Sequence, residues 1–322
     1  MKFGILAPGN IANKMAEAVS GIPDMEKYAV ASRDLSRAEE FAKKWSFEKA
    51  YGSYEAMLND GAVELIYVAT PHSHHYRYAK MCLEHGKHVL VEKPFTVNAK
   101  QAEELINMAE EKGLLIAEAM WTRYMPSRFM LEKLLADGVI GEVSSLTANL
   151  GYVLTGKERL EKPELAGGAL LDLGVYPIHF ALMAIPEEIK KVSSTAVLSP
   201  GGVDWQNSIS ITFASGKTAL LHSNMRALTD RNGMIYGDKG YIEFVNINNG
   251  EEIRVYDLQY RMTDCLKVPE QINGFEYEAL SCMKAIREGR TECEEMPHSE
   301  MLRVMRLMDG LRAEWGLKFP CE

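Results

Sequence analysis

The sequence has few cysteines and no excess of positive charge, and both absences narrow the class of protein. Its five cysteines are odd in number, widely scattered and never in a Cys-x-x-Cys pair. Neither a disulfide framework nor a zinc site is therefore indicated, and we expect no metal. A net charge of −9 argues against a general binder of nucleic acid or other polyanions.

Targeting and membrane signals are also scarce. No apolar run stands out as long enough to span a membrane, and the chain enters a short apolar segment at once, without a signal peptide. We therefore expect a cytoplasmic protein with no membrane partner. The chain has 322 residues, of which 47% are hydrophobic and 25% charged, which is enough to build two domains with sizeable cores.

The apolar pattern changes along the chain and predicts two domains of different architecture. In residues 1–120, short apolar runs alternate with segments of helical spacing, which is typical of a doubly wound parallel sheet of the Rossmann type. In residues 121–322, extended segments follow one another, and Asn248-Asn249-Gly250 is the clearest hairpin signal. This second domain is expected to be α+β, with a large, open, mainly antiparallel sheet. A C-terminal segment is a candidate to pack back on the first domain.

Several segments carry specific expectations. The last strand of the first domain is expected over residues 114–117, and helices are expected over residues 99–112, 170–184, 277–288 and 299–315.

The first strand–helix loop resembles a dinucleotide-binding turn. The segment Ala7-Pro8-Gly9-Asn10-Ile11-Ala12 follows an apolar run and opens a helical pattern. Gly9 keeps the position at which backbone can approach a pyrophosphate, and Ala12 is small enough for the helix to pack closely. Ala7 departs from the usual glycine, so a tight turn without a ligand is the alternative. We expect Gly9, Asn10 and Ile11 to contact a dinucleotide.

The end of the second strand favours NADP over NAD. Ser32 and Arg33 stand where NAD sites usually carry an acid, and Arg37 follows one turn later. A hydroxyl and two guanidinium groups suit a 2′-phosphate. Asp34 leaves two interpretations open. It either caps the helix that begins at Leu35, which we favour, or accepts from the ribose of NAD.

The tripeptide Glu92-Lys93-Pro94 follows the apolar run His88-Val89-Leu90-Val91. Such a run suits a strand of a parallel sheet covered on both faces, and ligands bind at the carboxyl ends of these strands. An acid, a lysine and a proline at this point therefore indicate a functional loop.

Together these motifs resemble those of the glucose–fructose oxidoreductase and inositol dehydrogenase (Gfo/Idh/MocA) family. The resemblance covers essentially the whole chain and rests on the opening loop and on the segments Ala31-Ser32-Arg33, Ala69-Thr70-Pro71, Glu92-Lys93-Pro94, Glu118 to Pro126 and Gly167 to Tyr176. Tyr176 stands where many relatives have histidine, which places the chain nearer the dihydrodiol and aldose dehydrogenases of the family.

The resemblance implies an NADP-dependent oxidoreductase, with NAD as the alternative cofactor, acting on a sugar, a cyclic polyol or a trans-dihydrodiol. It implies that Lys93 is the catalytic lysine, that a cis bond precedes Pro94, and that Tyr176 donates or accepts the proton. Asp172 either holds Lys93 or a substrate hydroxyl, or simply caps a helix. A homodimer or larger homo-oligomer through the C-terminal sheet is also implied.

Further cofactor contacts are expected from the same resemblance, at Thr70, Pro71, His72, His75, Glu92, Lys93, Trp121 and Arg123. Trp121 and Arg123 have a structural alternative, as a core aromatic and an ion pair. A metal site at His72, His74 and His75 is not expected, because a short loop rarely brings three ring nitrogens together.

The proposed chemistry is consistent with the residue types. A free phenol titrates near about 10 and a free lysine near about 10.4, so neither alone is an efficient base at neutral pH. An ammonium group beside the phenol favours the phenolate, and it can also donate to a developing alkoxide. We therefore expect Tyr176 to be the acid–base and Lys93 to assist it, with the reversed roles as the rival.

Two other functions remain open at this point. One is a sensor that binds NAD(P) without catalysis, and the other is an oxidoreductase that keeps NADP bound while it cycles between two sugars.

Overall fold

The computed structural model describes residues 1–322 and divides into two compact units. The first comprises Met1–Tyr124 and Gln271–Arg306, and the second comprises Met125–Glu270 and Leu307–Glu322. Each unit contains its own sheet.

Strands and helices alternate in the first unit, as the apolar pattern predicts. They are β1 (Lys2–Leu6), α1 (Asn10–Ser20), β2 (Glu26–Ala31), α2 (Leu35–Trp45), β3 (Lys49–Tyr51), α3 (Tyr54–Leu58), β4 (Leu65–Val68), α4 (His75–Glu84), β5 (His88–Glu92), α5 (Ala99–Lys112) and β6 (Ile116–Ala119). The six strands form a parallel sheet in the order β3-β2-β1-β4-β5-β6, which confirms the Rossmann-type fold.

The second unit is built mainly of strands. Its elements are α6 (Pro126–Ala136), β7 (Val143–Gly151), α7 (Glu158–Glu161), a π-helix (Leu170–Gly174), α8 (Val175–Ala184), β8 (Ile189–Leu198), β9 (Asp204–Phe213), β10 (Thr218–Asn224), β11 (Gly233–Gly237), β12 (Gly240–Val245), β13 (Glu252–Asp257) and β14 (Met262–Lys267). The eight strands lie in the order β14-β13-β12-β11-β7-β10-β9-β8. Only β7 and β10 pair in parallel, so the expected mainly antiparallel sheet is confirmed.

Two helices complete the chain. They are α9 (Phe275–Arg287), which belongs to the first unit, and α10 (His298–Glu314), within which the division between the units falls. Asn248-Asn249-Gly250 lies in the loop that joins the antiparallel strands β12 and β13, as the hairpin signal predicts.

Some expected boundaries differ from those observed. The strand expected over residues 114–117 begins two residues later, at Ile116, because Leu114 still takes part in the turn that ends α5. Its N–H donates to the carbonyl of Ala109 at 2.9 Å, after Gly113 has adopted a φ of +63°. The expected helix over residues 170–184 is present, but its first turn is a π-helix.

One helical stretch bears on the expectation that the chain does not span a membrane. The helical stretch Pro163–Ala184 is long and apolar enough by composition to cross a membrane. However, 94% of its most apolar window is buried inside the fold, which is the burial expected of a core helix.

Candidate active site

The opening loop leaves the start of α1 accessible to an anion. Gly9 precedes α1, no side chain caps the helix, and its first turn carries no acidic residue. A Cβ added at Gly9 would meet no atom within 4 Å, so there is open space above this backbone. Ala7 has a φ of +75°, a conformation that normally favours glycine. The loop therefore keeps the backbone of a dinucleotide turn although its first glycine is replaced, and its exposed N–H groups suit a pyrophosphate.

The loop after β2 combines a helix cap with two cations. The carboxylate of Asp34 accepts from the backbone N–H of Ser36 at 3.0 Å and from its hydroxyl at 2.7 Å, which lowers the pKa of Asp34. The interpretation of Asp34 as the cap of α2 is thus confirmed. Burial raises the pKa of Tyr54, whereas the nearby charges of Arg33 and Arg37 oppose the rise. The guanidinium groups of Arg33 and Arg37 therefore both lie near the Tyr54 hydroxyl.

Ser32 lies just before these cations and is buried. Its hydroxyl accepts from the backbone N–H of Asp34 at 3.3 Å, and its own N–H donates to the carbonyl of Tyr51. The loop that carries Ser32 and Arg33 is thereby held against its neighbour, which limits the positions available to a bound phosphate.

His75 joins the loops that follow β4 and β5. Its ring is fully buried, with Nδ1 2.8 Å from the carbonyl oxygen of Pro94 and Nε2 2.8 Å from that of Thr70. Burial lowers the pKa of His75 to about 3, while the two carbonyl oxygens oppose this shift. At least one ring N–H donates to a carbonyl, so the ring links the two loops. Any contribution of His75 to cofactor binding would therefore be made through these loops.

His72 is also buried, and its ring lies 5.8 Å from that of His75 between centroids. It occupies a short 3-10 helix, His72–His74, directly after Pro71. No group of three or more His, Cys, Asp or Glu side chains in residues 1–322 is arranged to hold a metal ion.

The Glu92-Lys93-Pro94 segment is anchored by buried acids. The Lys93–Pro94 peptide bond is cis, as the family resemblance implies. The Glu92 carboxylate accepts from the Tyr67 hydroxyl and, at 3.2 Å, from the backbone N–H of Lys93. On the neighbouring strand, Glu118 accepts from the backbone N–H of Phe95 at 2.9 Å. These bonds hold the backbone on both sides of Lys93, whose side chain is partly exposed.

A third acid lies near this network and was missed by the sequence analysis. Glu278 of α9 is 0% exposed, and neither of its carboxyl oxygens has a hydrogen-bond partner. Burial raises its pKa well above the ordinary value, and the charges of Glu92, Cys293 and Glu118 add to the effect. Burial also raises the pKa of Glu118 to about 7. Nothing in the sequence distinguishes Glu278 from the many solvated glutamates on helices.

Trp121 and Arg123 lie in a short 3-10 helix after β6. The Trp121 ring packs against Phe275 with centroids 4.8 Å apart, and Arg123 donates to Glu300 at 2.8 Å. Arg123 is almost fully buried. The ion pair thus matches the structural alternative for Arg123, while a contact of this segment with the cofactor stays a prediction.

In the second unit, Asp172 and Tyr176 belong to the buried helix that crosses the sheet. Asp172 lies in the π-helix and forms a two-point ion pair with Arg159, at 3.0 Å and 3.4 Å. The acid that accepts from the N–H of Leu170 at the start of the helix is Asp204, at 2.8 Å, rather than Asp172. Tyr176 follows Asp172 by four residues, about one helical turn, so the two side chains share a face.

The chain is similar over nearly its whole length to known oxidoreductases. Residues 1–120 match the family model of the "Oxidoreductase family, NAD-binding Rossmann fold", and residues 130–243 match that of the "GFO/IDH/MocA C-terminal domain". The trans-1,2-dihydrobenzene-1,2-diol dehydrogenase of Mus musculus is 32% identical, and the alignment covers 99% of this chain and 98% of the relative. The D-xylose 1-dehydrogenase (NADP(+)) of Hypocrea jecorina is 33% identical, with 99% and 93% covered.

Solved structures agree with this relationship. The 3-ketoreductase KijD10 from Actinomadura kijaniata, solved with NADP and TDP-benzene, superimposes with a TM-score of 0.89 at 26% identity. The superposition covers 97% of each chain. Since relatives more than 30% identical align with almost every residue and both domain models match in order, the chain belongs to the GFO/IDH/MocA oxidoreductase family.

Proposed function

We propose that the protein is an NADP-dependent dehydrogenase that acts on a hydroxyl-bearing carbon of a sugar, a cyclic polyol or a trans-dihydrodiol. Relatives named for dihydrodiol and D-xylose dehydrogenation support this class of substrate. The observation that carries the proposal is that this chain, similar to them over 99% of its length, keeps both candidate groups for proton transfer, Lys93 and Tyr176.

NADP is the cofactor that the first unit fits best. The uncapped start of α1, with open space above Gly9, suits the pyrophosphate. Arg33 and Arg37 offer positive charge where an NAD site would offer an acid, and Asp34 is occupied as a helix cap. NADP supplies the hydride acceptor at nicotinamide C4 when it is bound.

The chain's own residues then handle the hydroxyl proton. In the proposed reaction, Tyr176 takes this proton as general base in oxidation and returns it in reduction. Lys93 donates a hydrogen bond to the oxygen as its negative charge develops, which lowers the barrier because the charge grows toward the transition state. The hydrogen bonds to Glu92 and Glu118 keep the backbone around Lys93 in place for this role.

The test is reduction of NADP⁺, followed at the absorbance band of the reduced nicotinamide, with a panel of aldoses, inositols and dihydrodiols. Tyr176→Phe and Lys93→Met should each lower kcat about 10²- to 10⁴-fold with the best substrate, while the dissociation constant of NADP⁺ stays within about twofold. Combining the two substitutions should cost little more than the larger single effect, because groups that act on one proton transfer are not additive.

Tyr260→Phe and Lys133→Met, at exposed positions, are the matched controls and should retain full activity. A wild-type protein that binds NADP⁺ tightly but reduces it with no member of the panel would instead support the non-catalytic sensor. Near-normal turnover of Tyr176→Phe across the pH range would transfer the acid–base role to another group.

A homodimer through the eight-stranded sheet is part of the proposal. The outward-facing side of β10 carries Leu220, which is 55% exposed, beside Ser210 on β9 and Thr147 on β7. A shallow cavity along this side is lined largely by small hydroxyl-bearing residues, which allow a second flat sheet to approach closely. This open face supports association between identical copies.

Leu220→Lys should shift the protein to the monomer at micromolar concentration, because it would place a charge inside the paired face. Analytical ultracentrifugation measures the outcome, with Leu228→Lys, at another exposed leucine, as control. A monomeric wild type would refute the dimer and leave the redox proposal untouched.

We also propose a cytoplasmic location. Cys282 and Cys293 are thiols with sulfur atoms 3.8 Å apart, an arrangement that a reducing compartment would preserve. Cell fractionation with antibody detection tests the location.

A further inference from the structure

Arg159 was not predicted to lie beside the catalytic helix, by which we mean the π-helix Leu170–Gly174 and its continuation α8, which carry Asp172 and Tyr176. It lies in α7 and donates through Nη1 and Nη2 to the two carboxylate oxygens of Asp172, at 3.0 Å and 3.4 Å. The side chain of Asp172 is 7% exposed, whereas that of Arg159 is 45% exposed. One partner of the pair is therefore embedded in the fold, and the other still faces solvent.

Two glycines bring Arg159 to this position. The backbone N–H of Gly168 donates to the carbonyl of Leu160 at 2.9 Å. A Cβ at Gly167 would lie 2.4 Å from the same carbonyl oxygen, so any larger residue would push the α7 turn away. The side chain of Leu160 is fully buried and secures the turn. The segment that carries Arg159 is thus docked against the beginning of the catalytic helix.

Gly168 also allows the helix start to be fixed from the other side. Its φ is +108°, and an added Cβ would lie 2.3 Å from Oδ1 of Asp204. Asp204 can therefore approach and accept from the N–H of Leu170 at 2.8 Å and from the amide of Asn207 at 2.9 Å. Arg159 and Asp172 consequently meet in a rigid setting, one helical turn from Tyr176.

Arg159 still has hydrogen-bonding capacity beyond its ion pair with Asp172. A guanidinium has five N–H donors, of which the ion pair uses two, and the Arg159 side chain is half-exposed. A carboxylate has about four lone-pair sites. The pair as a whole is electrically neutral, which gives no preference for an anionic ligand. A donor placed beside an acceptor matches two adjacent hydroxyl groups, one of which accepts while the other donates.

We propose that Arg159 is a specificity-determining residue, and that together with Asp172 it recognises two adjacent hydroxyls of a neutral substrate held at Tyr176. This inference rests on the proposed dehydrogenase function, which it deepens by naming a residue that would select among its neutral diol substrates. The two hydroxyls are those next to the reacting carbon or those that include it.

The experiment compares Arg159→Met and Arg159→Lys with Lys162→Met, which removes an equal charge from the same segment at an exposed ion pair. The substrates are the best neutral sugar or diol of the panel and its monodeoxy analogues. Arg159→Met should raise KM by about 10- to 100-fold, as expected for loss of a hydrogen bond from a charged donor. NADP⁺ affinity should not change, Arg159→Lys should restore part of the loss, and Lys162→Met should match wild type.

The analogues separate recognition from structure. One monodeoxy analogue should have a high KM with the wild type, because it lacks the hydroxyl that Arg159 binds. Its KM should rise little further with Arg159→Met, since the hydrogen bond that the variant removes is already absent. If Arg159→Met instead penalises every analogue by the same factor as the parent substrate, Arg159 only supports the fold and the proposal is wrong. A wild type that prefers a sugar acid or sugar phosphate over the neutral sugar, with the preference lost in Arg159→Met, would make this an anion site and also overturn it.

Isothermal titration of the same ligands into the NADP⁺ complex keeps this test independent of turnover. Neutral diols that bind without reducing NADP⁺ would refute the dehydrogenase while leaving Arg159 testable by the same comparison of affinities. Absence of binding by every neutral diol would refute the role of Arg159.

Discussion

The two sheets of this protein are enclosed to different extents. In the parallel sheet, all four residues of β4 are buried, so both faces of the strand are covered. In the eight-stranded sheet, buried and more exposed residues alternate along β9 and β10, which leaves one face open. The comparison explains the different apolar patterns of the strands in the two sheets. A strand covered on both faces needs a continuous apolar run, whereas a strand covered on one face needs apolar and polar residues in alternation.

The same difference affects how candidate catalytic groups are positioned. Lys93 follows a strand of the enclosed sheet, and buried glutamates hold the backbone around it. Tyr176 instead stands on the helix that covers the inner face of the open sheet, in contact with β7 and β10. Here the supporting ion pair between Asp172 and Arg159 reaches the surface. A partly exposed residue such as Arg159 can be substituted in relatives with other substrates at little cost in stability, whereas the buried glutamates around Lys93 cannot.

The largest effect on the free energy of unfolding should come from substituting alanine for adjacent residues in a strand of each sheet. In β4, Leu65→Ala and Ile66→Ala should each lower the free energy of unfolding by about 2–5 kcal/mol, since both side chains are fully buried. In β10, Leu221→Ala should cost a similar amount, whereas Leu220→Ala should stay within about 0.5 kcal/mol. Urea unfolding at low protein concentration measures all four.

A large loss at Leu220 in the monomer would mean that this face is covered within one chain, and the contrast between the sheets would fail. A loss that appears only at higher concentration would instead support the dimer.

A smaller effect is expected from the buried acid of the first unit. Glu278→Leu should raise the free energy of unfolding at pH 8 by about 1–3 kcal/mol, because it removes a buried carboxyl without hydrogen-bond partners. The folded-state pKa of Glu278 is raised, so the folded protein holds a proton that the unfolded chain releases. Wild-type stability therefore falls as the pH rises from the unfolded-state pKa toward the folded-state pKa.

The gain from Glu278→Leu should accordingly be smaller at pH 5 than at pH 8. Urea unfolding at the two pH values tests this, with Glu84→Leu at an exposed position as control. An equal gain at both values, or a loss at pH 8, would show that Glu278 has a stabilising partner.

Short elements were the hardest to predict from sequence. The strands β3, β11, β13 and β14 and the helices α3, α6 and α7 were not predicted, whereas α5 was predicted with its observed limits. A three-residue strand such as β3 offers too few positions for a period to show. A long amphipathic helix flanked by Asn98 and Gly113 combines periodicity with a cap at each end.

Most of the candidate site residues could be predicted from local sequence motifs. The spacing of the opening loop, the cap at Asp34 and the Glu92-Lys93-Pro94 tripeptide all depend on neighbours in sequence, and local conformation is enough to express them. The pairing of Arg159 with Asp172 spans 13 residues, and that of Phe95 with Glu118 spans 23. Neither has a sequence signal, because the partners meet only after the strands and helices have packed.

The fold class, the family and the residue types available for chemistry can therefore be predicted from the sequence alone, since they depend on periodicity and short-range backbone preference. Burial cannot. Packing decided that the pKa of His75 is lowered, that the Glu278 carboxyl has no hydrogen-bond partner and that Arg159 contacts Asp172 while facing solvent. The physical reason is that proton affinity and ion pairing depend on water exclusion and on charges brought together through space, and no linear pattern records either.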